Sequence, residues 1–285
     1  MKAPFNSVQE ALLWASSYLQ ENDREPRAAR FYLQDLLHYT STELMMRQTD
    51  QMTDELRERF SEGIYKIAKG TPYQYVSGRA EFYGRDFTVS PAVLIPRPET
   101  EELIEQLIRR KKEHFGDTAV RLVDIGTGTG CIATTLKLEM PEIVVTAVDI
   151  SPQALAVATA NASELDAEVR FLEGDMTAPI EQQTWDIFVS NPPYIAALEK
   201  QEMNDVVLDH EPHLALFAED DGLYFYKKMI NKLPQILAEK AIVAFEIGHL
   251  QGPAIQQLLS VALPQARVEV VKDLNGRDRM VFATL

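Results

Sequence analysis

Asn191-Pro192-Pro193-Tyr194 follows directly on the run Trp185-Asp186-Ile187-Phe188-Val189-Ser190. That run reads as a buried strand, so the tetrad falls at a strand's carboxyl end, where open α/β sheets place their ligands. Both prolines have a fixed φ and no N–H, so this backbone donates nothing there but still offers carbonyl acceptors. The Asn191 side-chain oxygen and the Pro192 carbonyl form a pair of acceptors, and Tyr194 adds a flat face for stacking. Such a pair suits a planar nitrogen with a delocalised lone pair, either an amide or an exocyclic aromatic amine. Gripping its two N–H bonds twists and polarises it toward an electrophile. No strong base is required first, because the nitrogen becomes acidic only once it has reacted. Preorganised acceptors act most strongly where positive charge develops, by analogy with oxyanion holes of opposite sign. The plainer alternative is a proline turn. The tetrad's place, one strand-helix-strand unit after the strand ending in Asp149, favours chemistry.

The electrophile is suggested by Asp124-Ile125-Gly126-Thr127-Gly128-Thr129-Gly130, which follows an apolar strand and opens a helix near Cys131. Glycines there let the backbone turn sharply and approach a ligand closely. Asp149 ends the next strand, about twenty residues on, where a carboxylate accepts from both ribose hydroxyls. Ser151-Pro152 then supplies an N-cap and a proline at the first helical position. A dinucleotide fingerprint would need glycine where Cys131 stands. Asp124 would repel a pyrophosphate but would receive an ammonium group directly or through water. These features point to S-adenosylmethionine, with Asp124, Gly126, Thr127, Gly128, Thr129, Gly130 and Asp149 around it. Asp175-Met176 falls where an adenine pocket would form, the carboxylate meeting the amino group and the thioether packing on the ring. A turn aspartate beside a core methionine accounts for that pair equally well.

Other residues carry less. His210-Glu211-Pro212-His213 offers two histidines and a glutamate, but Pro212 disfavours a regular helix and no further ligand is placed, so a loop bordering the cleft is the better reading and no metal is expected. Cys131 reads as a small helix residue, with no histidine placed to activate it. Glu246 is a candidate lining residue without an acid–base role. Tyr224, Phe225 and Tyr226 fit a helix with a buried aromatic face. Arg109-Arg110-Lys111-Lys112 at a helix end fits the helix dipole better than a nucleic-acid patch.

The elements that must position these residues differ along the chain. Residues 1–72 read as a bundle of four short amphipathic helices: Val8 to Leu19 after Asn6 or Ser7, Ala29 to Leu37, one opened by Thr40 with Glu43, and one capped by Thr53 and ended by Gly70-Thr71-Pro72. Residues 73–98 read as a β-hairpin connector turning at Arg85-Asp86. Residues 99–285 begin with a helix and then alternate strand and helix. This predicts an α/β fold, a seven-stranded, mostly parallel Rossmann-like sheet with an antiparallel C-terminal strand joined through Asn275-Gly276. The 285 residues hold 46% hydrophobic side chains and a formal net charge of −15, which disfavours phosphate backbones as partners. One cysteine excludes an internal disulfide and a multi-cysteine zinc site. No signal peptide or membrane-length apolar run is evident, so the cytoplasm is the expected compartment.

With these motifs in place, the whole chain resembles the HemK/PrmC family, the protein-(glutamine) methyltransferases of peptide chain release factors. The resemblance is carried by the N-terminal helices, by the connector PYQYVSGRAEFYGRDFTVSPAVLIPRPETE and by Phe245-Glu246-Ile247-Gly248. The connector is the most specific part. The resemblance implies a helical domain that helps hold the release factor, and methylation of the glutamine in its Gly-Gly-Gln loop. It matches Gly126 to Gly130, Asp149 and Asn191 to cofactor contacts, and Asn191, Pro192, Pro193 and Tyr194 to the glutamine site. Arg97, Pro98 and Glu99 match the connector motif beside that site. Met176 departs from the aromatic residue expected at its place. Alternatives are a ribosomal-protein glutamine, or an adenine amino group in nucleic acid, which the acidic charge and the lack of a target-reading segment disfavour. A catalytically silent scaffold is disfavoured by the intact Asn191.

Overall fold

The structure, a computed structural model, describes residues 4–202 and 205–285. The described residues divide into two compact units, one drawn from residues 4–80, 89–91 and 205–210, the other from 81–88, 92–202 and 211–285.

The first unit is helical: α1 (Val8–Glu21), α2 (Ala28–Leu37), α3 (Ser41–Met46), α4 (Asp54–Ala68) and α5 (Tyr73–Ser77). Local signals start three of them. Ser7 with Glu10 and Thr40 with Glu43 form capping boxes, and the Thr53 hydroxyl accepts from the Leu56 N–H. The apolar faces meet in a core that includes Phe5, Leu19, Leu33, Phe60 and Ile64. Tyr32 stacks on Phe60 with ring centroids 5.8 Å apart, and Gly63 makes room, since a Cβ there would lie 2.2 Å from the tyrosine ring.

The strands β1 (Arg79–Phe82) and β2 (Arg85–Thr88) form a two-stranded sheet. The hairpin was expected to turn at Arg85-Asp86, but the turn is Tyr83-Gly84, with φ of +53° and +68°. Two successive left-handed residues match the twist of a tight hairpin, and glycine takes the second at no steric cost. Arg85 instead belongs to the strand and pairs with Glu139.

The second unit continues with α6 (Pro98–Phe115), β3 (Arg121–Ile125), α7 (Cys131–Glu139), β4 (Val144–Asp149), α8 (Pro152–Glu164), β5 (Val169–Glu173), β6 (Trp185–Ser190) and the two-residue β7 (Ile195–Ala196). The helix α9 (Asp205–His210) returns to the first unit. Then come β8 (Phe217–Ala218), α10 (Tyr224–Ile236), β9 (Leu237–Glu246), α11 (Gly252–Ala262), β10 (Arg267–Lys272) and β11 (Asp278–Thr284). The main sheet has seven strands in the order β10-β11-β9-β6-β3-β4-β5. β3 pairs in parallel with both β4 and β6, and β6 in parallel with β9. β11 is antiparallel to both neighbours. It lies between β9 and β10, not at the edge.

Side chains alternate across this sheet. Leu122, Val145 and Ile187 face α6 and α7, while Val123, Val148 and Phe188 face α10 and α11. The basic run on α6 is largely absorbed by packing: Arg110 meets Glu269 at 2.7 Å and lies over the Phe282 ring, and buried Lys111 pairs with Glu142. Among the described residues, no helix is long and apolar enough to cross a membrane.

One buried side chain ties the sheet's front to its flank. Asn161 on α8 donates to Thr129 O at 2.9 Å and Thr88 O at 3.0 Å, and accepts from the Thr88 N–H at 2.8 Å. It is 1% exposed, so its removal leaves three backbone groups without water to replace it. Asn161→Ala should cost about 3 kcal/mol of stability, read from a lower urea midpoint at unchanged m.

Candidate active site

The strand order reverses about β3, which sends the chain to β4 on one side and β6 on the other. A crevice opens at the carboxyl ends of such neighbours. Here it is a cavity of about 250 Å³ with mostly apolar walls. Gly126, Gly128, Asp149, Asp175, Met176, Asn191, Pro192 and Pro193 all line it. Thus the glycine loop and the Asn-Pro-Pro segment share one space.

The glycine loop is held from below. The N–H groups of Gly126 and Thr127 both donate to Val148 O, at 2.9 and 3.0 Å, binding the loop to β4. Gly128 donates its N–H to Asp149 Oδ2 at 2.8 Å, and Ser151 donates to Asp149 Oδ1 at 2.9 Å. These bonds fix the carboxylate at the cavity wall and leave each oxygen a lone pair for a further donor. Gly128 has φ of +55°, and a Cβ there would meet nothing, so bare backbone faces open space. Gly130 serves packing: at φ of +77°, a Cβ would come within 2.9 Å of Ala158.

Asp124, Thr127, Thr129 and Gly130 lie behind this wall and do not line the cavity. Asp124 is fully buried, and its Oδ2 accepts from the Thr127 hydroxyl at 2.6 Å. Its Oδ1 has no hydrogen-bond partner. Burial pushes this carboxyl up to about 7, against the pull of the Thr127 hydroxyl. An acceptor left open at this depth fits a cationic group delivered from the cavity. Thr129 contributes structure, through its carbonyl bond to Asn161.

Asp175 and Met176 stand at the rim. Asp175 is exposed and its carboxylate lies 3.4 Å from Lys228. Met176 adopts φ of +47°, a strained choice for a long side chain that recurs at functional sites. Phe225 and Met229 of α10 line the same cavity. The aromatic triplet of α10 therefore splits: Tyr226 is buried, its hydroxyl donating to Glu246 O at 2.6 Å, while Phe225 is a wall residue.

Tyr194, Arg97 and Glu99 are not on the cavity wall. The Tyr194 carbonyl accepts from Gln251 Nε2 at 2.9 Å, and burial raises the phenol well above its usual range. Arg97 pairs at 2.6 Å with Glu211, whose carboxylate is almost fully buried. The His-Glu-Pro-His segment is thus divided: Glu211 anchors Arg97, and Pro212 lines the cavity. Among the described residues, no three His, Cys, Asp or Glu side chains gather as a metal set.

Several residues here gave little signal in sequence. Ala92, Val93 and Leu94 of the connector line the cavity, as do Leu214 and Ala215. Thr100 and Glu246 are buried beside Asn191, whose Nδ2 lies 3.3 Å from the threonine hydroxyl. Their types carry no motif by themselves; only the closing of the sheet brings them together. Together, these walls suit an amino-acid nucleoside beside a planar acceptor.

Comparison with known proteins agrees with this geometry. The family model described as the Methyltransferase small domain matches residues 100–214, and the one described as the PrmC N-terminal domain matches residues 10–78. A release factor glutamine methyltransferase of Bacillus cereus is 48% identical over 280 residues, covering 98% of this chain and 99% of that one. Another from Bacillus subtilis is 43% identical over 282 residues and covers 98% of each chain. A solved methyltransferase from Pyrococcus furiosus shares the fold, with a TM-score of 0.52 at 15% identity over 81% of this chain and 98% of its own. With close to half the residues shared along nearly the full length of both proteins, the chain belongs to the release factor glutamine methyltransferase family.

Proposed function

We propose that this protein transfers the methyl group of S-adenosyl-L-methionine to the side-chain amide nitrogen of the glutamine in the Gly-Gly-Gln loop of peptide chain release factors. The observation that carries the reading is that Asn191 and Pro192 line the same cavity as Gly126, Gly128 and Asp149. Cofactor and acceptor would then meet without a conformational relay.

The residues present fit the cofactor. Asp149 offers two oxygens to a ribose diol, and Asp175, Met176 and Phe225 supply a polar edge and apolar faces for adenine. The open Asp124 oxygen suits the amino-acid ammonium, reached directly or through water. Bound there, S-adenosylmethionine supplies an electrophilic methyl group on sulfur.

The remaining chemistry falls to the chain. Asn191 Oδ1 and Pro192 O accept the two amide N–H bonds and turn the lone pair toward the methyl. Positive charge would gather on the nitrogen as it takes the methyl, and these acceptors are placed to stabilise it there most. The nitrogen, acidic once it carries the methyl, would then give its extra proton to water. Pro193 shapes the turn and Tyr194 flanks the glutamine. Arg97 and Glu99 shape the connector near the substrate.

Residues 1–72 would dock the release factor, 73–98 would connect, and 99–285 would carry the reaction in the cytoplasm. The acidic chain is ill suited to direct nucleic-acid contact. The test offers radiolabelled cofactor with separate pools of release factors, ribosomal proteins and nucleic acid. Label is expected on release-factor glutamine. Label on a ribosomal protein or adenine alone would replace this reading with one of its alternatives.

A further inference from the structure

An asparagine amide is nearly symmetrical in shape, yet its two ends do opposite things. The acceptor role of Asn191 requires its oxygen toward the substrate. Nothing on its own loop decides this. The Nδ2 end lies 3.3 Å from Thr100 Oγ1 on α6, and that hydroxyl lies 2.6 Å from Glu246 Oε2 at the end of β9. Thr100 is 2% exposed and Glu246 1%, so water offers neither an alternative partner.

The proton count then leaves one arrangement. An ionised carboxylate only accepts, and a hydroxyl has one proton to give. Thr100 spends that proton on Glu246 and has only lone pairs left for Asn191. The asparagine must therefore present its NH₂ to Thr100 and to the Glu246 carboxylate, which also bonds it directly, and this leaves Oδ1 for the cavity. We propose that Thr100 and Glu246 are positioning residues that set the sense of the Asn191 amide, so that its oxygen and not its nitrogen meets the methyl acceptor. This inference rests on the acceptor reading of Asn191 given above.

Protonation of Glu246 would undo the arrangement. A neutral carboxyl donates to Thr100, whose own proton is then released toward Asn191 Oδ1. Burial pushes the Glu246 carboxyl up to about 7, while the Thr100 hydroxyl, Arg279 and the Asn191 amide pull it down and Glu99 pushes it up. Thr100 and Glu99 face it from α6 and Arg279 from β11; Tyr194, Tyr226 of α10 and Cys131 of α7 are the other titratable groups around it. The active form is the ionised one, so kcat should fall as pH drops through about 7.

The test uses the full-length protein with S-adenosylmethionine and a release-factor substrate. Glu246→Gln keeps the shape but gives Thr100 a donor, which reverses the relay at every pH. Thr100→Val removes it, and Thr100→Ser restores it. Glu246→Gln and Thr100→Val are expected to lower kcat about tenfold to thirtyfold, with the cofactor Kd within about twofold, and Thr100→Ser to recover most of the loss. The acid limb of the wild-type kcat profile should vanish in Glu246→Gln. Asn191→Ala runs in parallel. If it alone is impaired while both relay variants turn over normally, the relay is overturned and the acceptor reading stands. If it turns over normally, the acceptor reading fails and takes the relay with it. Equal loss of kcat and cofactor affinity in both relay variants would overturn the positioning role in favour of plain packing. The wild-type pH profile needs no variant, and a flat one between about pH 6 and 8 would contradict the proton count.

Discussion

Replacing Asn191 with alanine is expected to lower kcat by about 10²–10³-fold while leaving cofactor affinity nearly unchanged. The magnitude is that of losing one preorganised polar partner at the point where charge develops. The side chain has no sheet to support: its Nδ2 donates to the Thr100 hydroxyl at 3.3 Å, and the amide also bonds the Glu246 carboxylate. The fold should therefore survive, and Gly126, Gly128 and Asp149 should continue to hold the cofactor. Single-turnover methylation of a release factor, alongside calorimetry with the cofactor alone, separates the two effects. Unchanged turnover would remove the acceptor pair from the mechanism. A parallel loss of cofactor affinity would show Asn191 acting mainly as a cofactor ligand.

Asp149→Ala is expected to act on the other half of the site, raising the cofactor Kd by about 30- to 150-fold, the worth of two charge-assisted hydrogen bonds. Some of that loss is indirect. The same carboxylate accepts the Gly128 and Ser151 N–H groups, so its removal also loosens the wall against which the cofactor lies. Asp149→Asn should fall between, because an amide keeps only one acceptor oxygen. At saturating cofactor, kcat should return close to the wild-type value in both. Calorimetric binding indistinguishable from the wild type would show that Asp149 is a loop support with no part in holding the ribose.

Much of the frame was legible because it is written in local periodicity. The strands at Arg121–Ile125 and Arg267–Lys272 end where the apolar pattern ends, and Ser7, Thr40 and Thr53 cap the helices that their spacing announces. The glycine loop and Asn191 were legible for a similar reason, since backbone freedom and paired acceptors leave marks in a short stretch. Where the reading fell short, the missing cause was long-range. Nothing near Thr129 says that its carbonyl is wanted by Asn161, which lies 32 residues on. Asp124, Thr127 and Thr129 are legible as part of the glycine loop, but nothing in that stretch says that the loop turns their side chains beneath the surface it presents. Arg85-Asp86 reads as the turn because it is turn-prone and lies between two apolar runs. The chain instead turns at Tyr83-Gly84, where two left-handed residues close it. Glu246 and Thr100 are 146 positions apart, and their hydrogen bond exists only because β9 and α6 converge.

The placing of β11 between β9 and β10 has a consequence for how the chain is made. Translation is vectorial, so β10 leaves the ribosome before the strand that must separate it from the rest of the sheet. Until β11 emerges, β9 presents an unpaired edge bearing Phe245, Ala244 and Val243, and β10 has no neighbour to join. Such an edge invites pairing with another nascent chain. The contacts that seal it are distant in sequence and form slowly. A chain cut between residues 272 and 278 would therefore keep the parallel half of its sheet but leave the β9 edge open.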